Sequence, residues 1–188
     1  MALEEEIIDY CDNENDILHW VSLKGEYRYK QIIIFLKNND IPLTWDNITY
    51  YIKYDKRLLI NSFKYLVFLE ELFKSYIEKY KDIKISKINT FSFAKAIEVY
   101  LTIEDVKEYF IDFNLLKNEY KSIIQLRNRV VHNKILLGKT FSNKTLEEVL
   151  NIFKMILPSS YKSGFIKDIN NSSKKLTENY WHVHLNED

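Results

Sequence analysis

From Asn114 to His132 the chain reads NLLKNEYKSIIQLRNRVVH. Leu116, Tyr120, Ile123 and Val130 recur at intervals of four, three and seven. That is the spacing of one face of an α-helix. Arg127 occupies the vacant place in the stripe, four after Ile123 and three before Val130. A guanidinium on a core-facing stripe needs an anion or a cleft. The anion is either a carboxylate of the protein or a phosphate of a substrate. Asn128 and His132, at i and i+4, share a second face. Arg127 and His132 diverge by ~140° on a straight helix. For these two to act together, the arginine reaches around or the helix ends near Val131, and Asn133 and Gly138 are helix-ending residues.

Working outward, a longer helix is expected from about Asp55 to Tyr80, with Leu59, Phe63, Leu66, Glu70, Phe73 and Ile77 on one face. A helix over Glu26 to Asn38 buries Ile32, Ile33, Phe35 and Leu36. Thr44 caps a short helix that holds Ile48 and Tyr51. Ser92 and Thr102 cap two further short helices, and Asn143 caps one that stops before Pro158. A first helix covers Leu3 to about Asp12. With 3 Gly and 2 Pro in 188 residues, the many turns of an all-β protein have no supply. The expectation is an all-α single domain over 1–188, its core at about 26–157 and a polar C-terminal tail at about 170–188.

One cysteine, Cys11, excludes an internal disulfide and suits a reducing compartment. The acidic start, Met1 to Glu6, lacks the features of a signal peptide. The longest apolar runs, Ile32 to Leu36 and Tyr65 to Leu69, fall far short of the ~20 residues of a membrane span. A cytoplasmic protein with no membrane partner is expected. Net charge is zero, yet residues 114–144 hold seven basic residues and one acidic one, so they carry +6 and the rest −6. This points to a local anion site rather than a DNA-coating surface. Lys121, Arg129 and Lys134 of this stretch are expected at that anion site. His182 and His184 have no cysteine or carboxylate cluster at ligand spacing, and no Gly-rich phosphate loop occurs. No metal and no cofactor are expected.

The run Leu126-Arg127-Asn128-Arg129-Val130-Val131-His132-Asn133 resembles the R-[polar]-x-x-x-H motif of the HEPN superfamily of helical ribonucleases. Tyr54-Asp55-Lys56-Arg57-Leu58-Leu59-Ile60 resembles a stretch of its abortive-infection (Abi-like, AbiD/AbiF) branch. The resemblance spans Tyr29 to Leu137. Val130-Val131-His132 departs from the Cys-Ala-His-like stretch of that branch. The resemblance implies a HEPN-type helical bundle that cuts RNA without a metal, as a toxin or anti-phage effector with an antitoxin or regulatory partner. Arg127, Asn128 and His132 are then catalytic, and Lys121, Arg129 and Lys134 bind the RNA. Histidine moves protons, arginine stabilises phosphorane charge, and Asn128 orients the histidine or a phosphate oxygen. Two proton transfers with one motif histidine imply a homodimer with both copies of His132 near its interface. The alternatives are a non-catalytic helical module that binds RNA or protein, such as an antitoxin or adaptor, and a structural bundle.

One expectation comes from periodicity alone. Glu70 and Arg127 are opposite charges on two apolar stripes. If the stripes pack together, the simplest way to avoid an unpaired charge is for the two to meet.

Overall fold

A computed structural model describes residues 19–23, 25–103, 111–174 and 180–187. The helices expected over Leu3–Asp12 and after Thr102 fall outside the described residues. Residues 19–23 are helical. After them come α1 (Glu26–Asn38), α2 (Trp45–Tyr80), α3 (Ile85–Ile88), α4 (Phe93–Tyr100), α5 (Phe113–Val131), α6 (Leu146–Ile156) and α7 (Ser159–Asn170). A 3-10 turn, Asn171–Ser173, ends the series. Among the described residues there is no strand, only a single bridge between Phe141 and Lys144. The all-α expectation is met. No described helix is long and apolar enough to cross a membrane.

α1 has the expected bounds, and Ile32, Ile33, Phe35 and Leu36 are all buried. It stops because Asp40 turns left-handed at φ 53°, which lets the Ile41 N–H return to the Leu36 carbonyl at 3.0 Å. Thr44 then caps α2 by accepting from the Asn47 N–H.

α2 corrects the reading of two helices. Nothing between Tyr51 and Asp55 breaks the chain, so one helix of 36 residues, ~54 Å long, runs from Trp45 to Tyr80. It is the spine of the fold, packing against α1, α3, α4, α5 and α7. Its expected stripe is right at Leu59, Leu66, Phe73 and Ile77, which are buried, and wrong at Phe63, which is 46% exposed. The inward position at that level is Ser62, fully buried.

Ser92 caps α4 through the Lys95 N–H. Asp112 caps α5 through the Leu115 N–H, so the helix starts one residue before Asn114. Leu116, Ile123 and Val130 are buried, as the spacing requires. Asn143 does not cap α6. It sits at φ 67° in a tight turn, and Thr145 makes a capping box with Glu148 instead.

α7 was not foreseen, and the C-terminal segment is no loose polar tail. Val183 and Leu185 are buried. Tyr51 donates its hydroxyl to the Trp181 carbonyl at 2.8 Å, and Tyr54 Oη accepts from the Val183 N–H at 2.8 Å. The Asn170 amide clasps the backbone of Leu185, giving to its carbonyl and accepting from its N–H.

Candidate functional site

α2, α4 and α5 meet at Arg127. Its Nη2 lies 3.2 Å from Glu70 Oε2. Lys74 donates to the other oxygen of Glu70 at 2.9 Å, and the guanidinium carbon stands 5.7 Å from the centre of the Phe93 ring. The two stripes therefore carry charges that meet, as expected. The pair is not deep in the core. The Arg127 and Glu70 side chains are 23% and 20% exposed, so the contact is worth ~1 kcal/mol or less. Glu70 lies at the border of its stripe and anchors the arginine there. Arg127 Nε is buried with no acceptor among the described residues.

α5 ends at Val131 because Asn133 takes the left-handed conformation, φ 51°. The Lys134 N–H returns to the Arg129 carbonyl at 2.8 Å and the Asn133 N–H to Val130 at 3.1 Å. These two bonds form a Schellman end. His132 is the C-cap residue and is exposed, as is Asn128 one turn earlier. Neither side chain has a hydrogen bond among the described residues. Arg127 and His132 do not meet within one chain. The helix ends where a joint action needs it to end, yet Arg127 turns to Glu70 and His132 to the surface.

Of the three residues expected to grip RNA, Lys121 and Lys134 are exposed. Arg129 instead donates to the Ile135 carbonyl at 3.0 Å and lies 5.9 Å from the Phe141 ring. It braces its own loop.

A second ionic cluster was missed. Asp55 is fully buried on α2 and binds the loop after His132: Oδ1 accepts from Leu136 N–H at 2.8 Å and Leu137 N–H at 3.1 Å. Its other oxygen receives Arg28 Nη1 at 2.5 Å, and Arg28 Nη2 donates to the Asn133 carbonyl at 2.6 Å. Lys56 donates to Asn133 Oδ1 at 2.6 Å. Burial pushes the Asp55 carboxyl up, against the downward pull of the two N–H groups and Arg28. The signal was available: Asp55 sits among Ile48, Tyr51, Ile52, Leu58 and Leu59. It is a charge in a stripe, the same anomaly that singled out Arg127.

Between Lys56, which touches Asn133, and Glu70, which touches Arg127, α2 leaves an uncovered apolar strip. Ile60, Phe63 and Val67 are 68%, 46% and 36% exposed, and Val131 on α5 is 39% exposed. A cavity of about 700 Å3 lies instead between α7 and the C-terminal segment, lined among others by Lys167, Asn170, His184 and Glu187. It shares no residue with the motif. Among the described residues no three His, Cys, Asp or Glu side chains group as a metal site. Comparison with protein-family models, curated proteins and solved structures finds no match.

Proposed function

We propose that the chain is a metal-independent endoribonuclease of the HEPN type, an abortive-infection or toxin effector of the cytoplasm whose site is completed when two copies pair. The observation that carries this reading is the Glu70–Arg127 contact. A carboxylate holds a guanidinium at the edge of the core, on the helix whose outer face presents Asn128 and His132. In this reading one His132 takes the proton from a 2′-hydroxyl, whose oxygen attacks the adjacent phosphorus. The second copy of His132 protonates the departing 5′-oxygen, leaving a 2′,3′-cyclic phosphate and a 5′-hydroxyl. Arg127 stabilises the charge on the phosphorane oxygens. The strip of Ile60, Phe63 and Val67 supports pairing, because it is apolar, exposed and lies on α2 between Lys56, which holds Asn133, and Glu70, which holds Arg127. Such an effector needs an antitoxin or another regulatory partner to hold it in check.

The divergence of Arg127 and His132 favours a second reading, a helical module that binds RNA or protein without cutting. One assay separates them. Purified protein is incubated with single-stranded RNA in EDTA and the ends are analysed. Cyclic phosphate ends, lost in both Arg127→Ala and His132→Ala, support the nuclease. Binding that persists in the absence of any cutting supports the module. Cutting that requires Mg²⁺ rejects the proposal.

A further inference from the structure

A cavity of about 320 Å3 lies where four parts of the fold meet. Its walls are the end of α1, the loop at 138–140, the first turn of α6 and Trp181 of the C-terminal segment. Its size falls in the range of small-molecule sites. Part of the wall is apolar. Phe35 and Leu146 are buried, and Trp181 stands edge-on to Phe35 with ring centres 5.2 Å apart. Trp181 itself is partly exposed. Gly138 brings bare backbone against the same phenyl ring. At φ 66°, a Cβ there would stand 3.4 Å from Phe35 Cδ2.

The polar groups of the wall are not all engaged. Asn39 gives its amide to the Phe35 carbonyl at 2.8 Å, which leaves its Oδ1. Among the described residues neither that oxygen, nor the Thr140 hydroxyl, nor the Trp181 indole N–H has a hydrogen-bond partner. Lys139 supplies a charge. It donates to Gln31 Oε1, a neutral group, and among the described residues no carboxylate forms an ion pair with it. Burial holds its ammonium below the usual lysine range, and the Arg129 guanidinium pushes the same way. Arg129 is itself bound to the Ile135 carbonyl and not to an acid. Glu147 is the one carboxylate on the wall, and it is exposed. A partly buried cation whose partner is neutral has most to gain from an anion.

We infer that this cavity is a nucleotide site, in which the base lies against Trp181 and Phe35, Asn39 and Thr140 bond its edge, and Lys139 holds the phosphate. Aromatic side chains are the usual partners of an unpaired base, and lysine serves phosphate as a point charge. The same chemistry describes a nucleotide of single-stranded RNA and a free mononucleotide. The inference does not rest on the nuclease reading, because the cavity shares no residue with Arg127, Asn128 and His132. Its loop is nevertheless the one that starts at Asn133 and that Asp55 holds at Leu136 and Leu137.

The test uses the full chain, the four ribonucleoside 5′-monophosphates, their nucleosides, inorganic phosphate and a short single-stranded 2′-O-methyl RNA, which has no 2′-hydroxyl to attack. Binding is measured by calorimetry. A monophosphate should bind about tenfold more tightly than its nucleoside, the worth of one charged hydrogen bond. Lys139→Gln should remove that difference and Lys139→Arg should restore most of it. Thr140→Tyr, at an exposed position, should fill the cavity and abolish binding with melting unchanged. RNA that displaces the monophosphate, or RNA binding that Thr140→Tyr and Lys139→Gln both weaken, supports the site and assigns it to RNA. Monophosphate binding that RNA leaves untouched supports it and assigns it to a free nucleotide. No binding of any monophosphate, with RNA binding unchanged in Thr140→Tyr, overturns the inference even where unmodified RNA is cut. A nucleoside bound as tightly as its monophosphate overturns it, because Lys139 then holds no phosphate. Inorganic phosphate bound as tightly as the monophosphates also overturns it, by assigning the cavity to a small anion. A fall in melting in Lys139→Gln, with binding not recovered in Lys139→Arg, makes the lysine a structural strut and overturns it as well.

Discussion

Glu70 and Arg127, 57 residues apart in the chain, meet at 3.2 Å across two helices, and the same carboxylate also holds Lys74. This makes Glu70 a positioning residue for Arg127. Glu70→Gln keeps the shape and loses the charge. It should lower RNA cutting about tenfold and leave the fold intact. Glu70→Ala should also cost ~1 kcal/mol of stability, a drop of ~2–4 °C in melting for a chain of this size. Thermal melting and single-turnover cleavage measure both. A Glu70→Ala protein with unchanged melting and unchanged cutting removes the assignment.

Asp55 is a stronger lever on the fold. It is fully buried and binds Arg28, Leu136 and Leu137 at once. Asp55→Ala strands the Arg28 guanidinium and two N–H groups, so a loss of ~3–5 kcal/mol is expected. Hydrogen exchange should show the Leu136 and Leu137 amides opening well before the α2 core in Asp55→Asn. Exchange that stays as slow as in the natural chain would mean the carboxylate does not hold the loop.

The proposed pairing of two copies assigns their contact to the apolar strip of α2. Phe63 is half exposed, so Phe63→Glu should alter the stability of a single copy by only ~0.5 kcal/mol. In sedimentation the natural chain is expected as a dimer and Phe63→Glu as a monomer, with cutting lost alongside. A dimer that survives Glu at both 60 and 63 locates the contact on another face.

Alkaline pH should unfold the protein early. Burial pushes Tyr29 up to about 12 and also raises Tyr51 and Tyr54. A folded hydroxyl that keeps its proton longer than the unfolded one confers stability that is whole below about pH 10 and is lost as the pH rises from there. Melting temperature should fall above that point, with tyrosinate absorbance rising only on unfolding for these three. The hydroxyls differ in worth. Tyr54→Phe leaves the Val183 N–H without its acceptor and should cost ~1–3 kcal/mol. Tyr29 Oη has no partner among the described residues, so Tyr29→Phe should be neutral or slightly stabilising. Equal costs for the two substitutions would contradict this account.

The readable parts of the sequence were those where one physical rule acts alone. Thr44 and Ser92 are caps with no rival nearby, and the α5 stripe lies on one side of a single helix. The Glu70–Arg127 contact followed from the cost of leaving a charge alone on each stripe. Periodicity failed on α2 because a helix packed by neighbours on several sides has no single buried face, so Phe63 and Ser62 exchange their expected places. The cap at Asn143 failed because two rules competed: Asn143 suits a left-handed turn, and the box of Thr145 and Glu148 takes the helix start. Asp55 was legible as a charge in an apolar stripe, but its partners were not: Arg28 comes from another helix, and the two backbone N–H groups lie 81 and 82 residues away. The C-terminal segment escaped for a similar reason. Its anchors are the hydroxyls of Tyr51 and Tyr54, and helical periodicity says nothing about them.

The spine helix has a consequence for how the molecule folds. Glu70 on α2 holds the motif helix and Asp55 on α2 holds the loop after it, closing loops of 57 residues, at Arg127, and of 81, at Leu136. Arg28 reaches Asn133 across 105. Loops this long close late, after local helix formation, because chain entropy opposes them until neighbouring contacts reward them. The arrangement around His132 is therefore a product of the last folding steps, and a nascent chain that has formed every helix still lacks it.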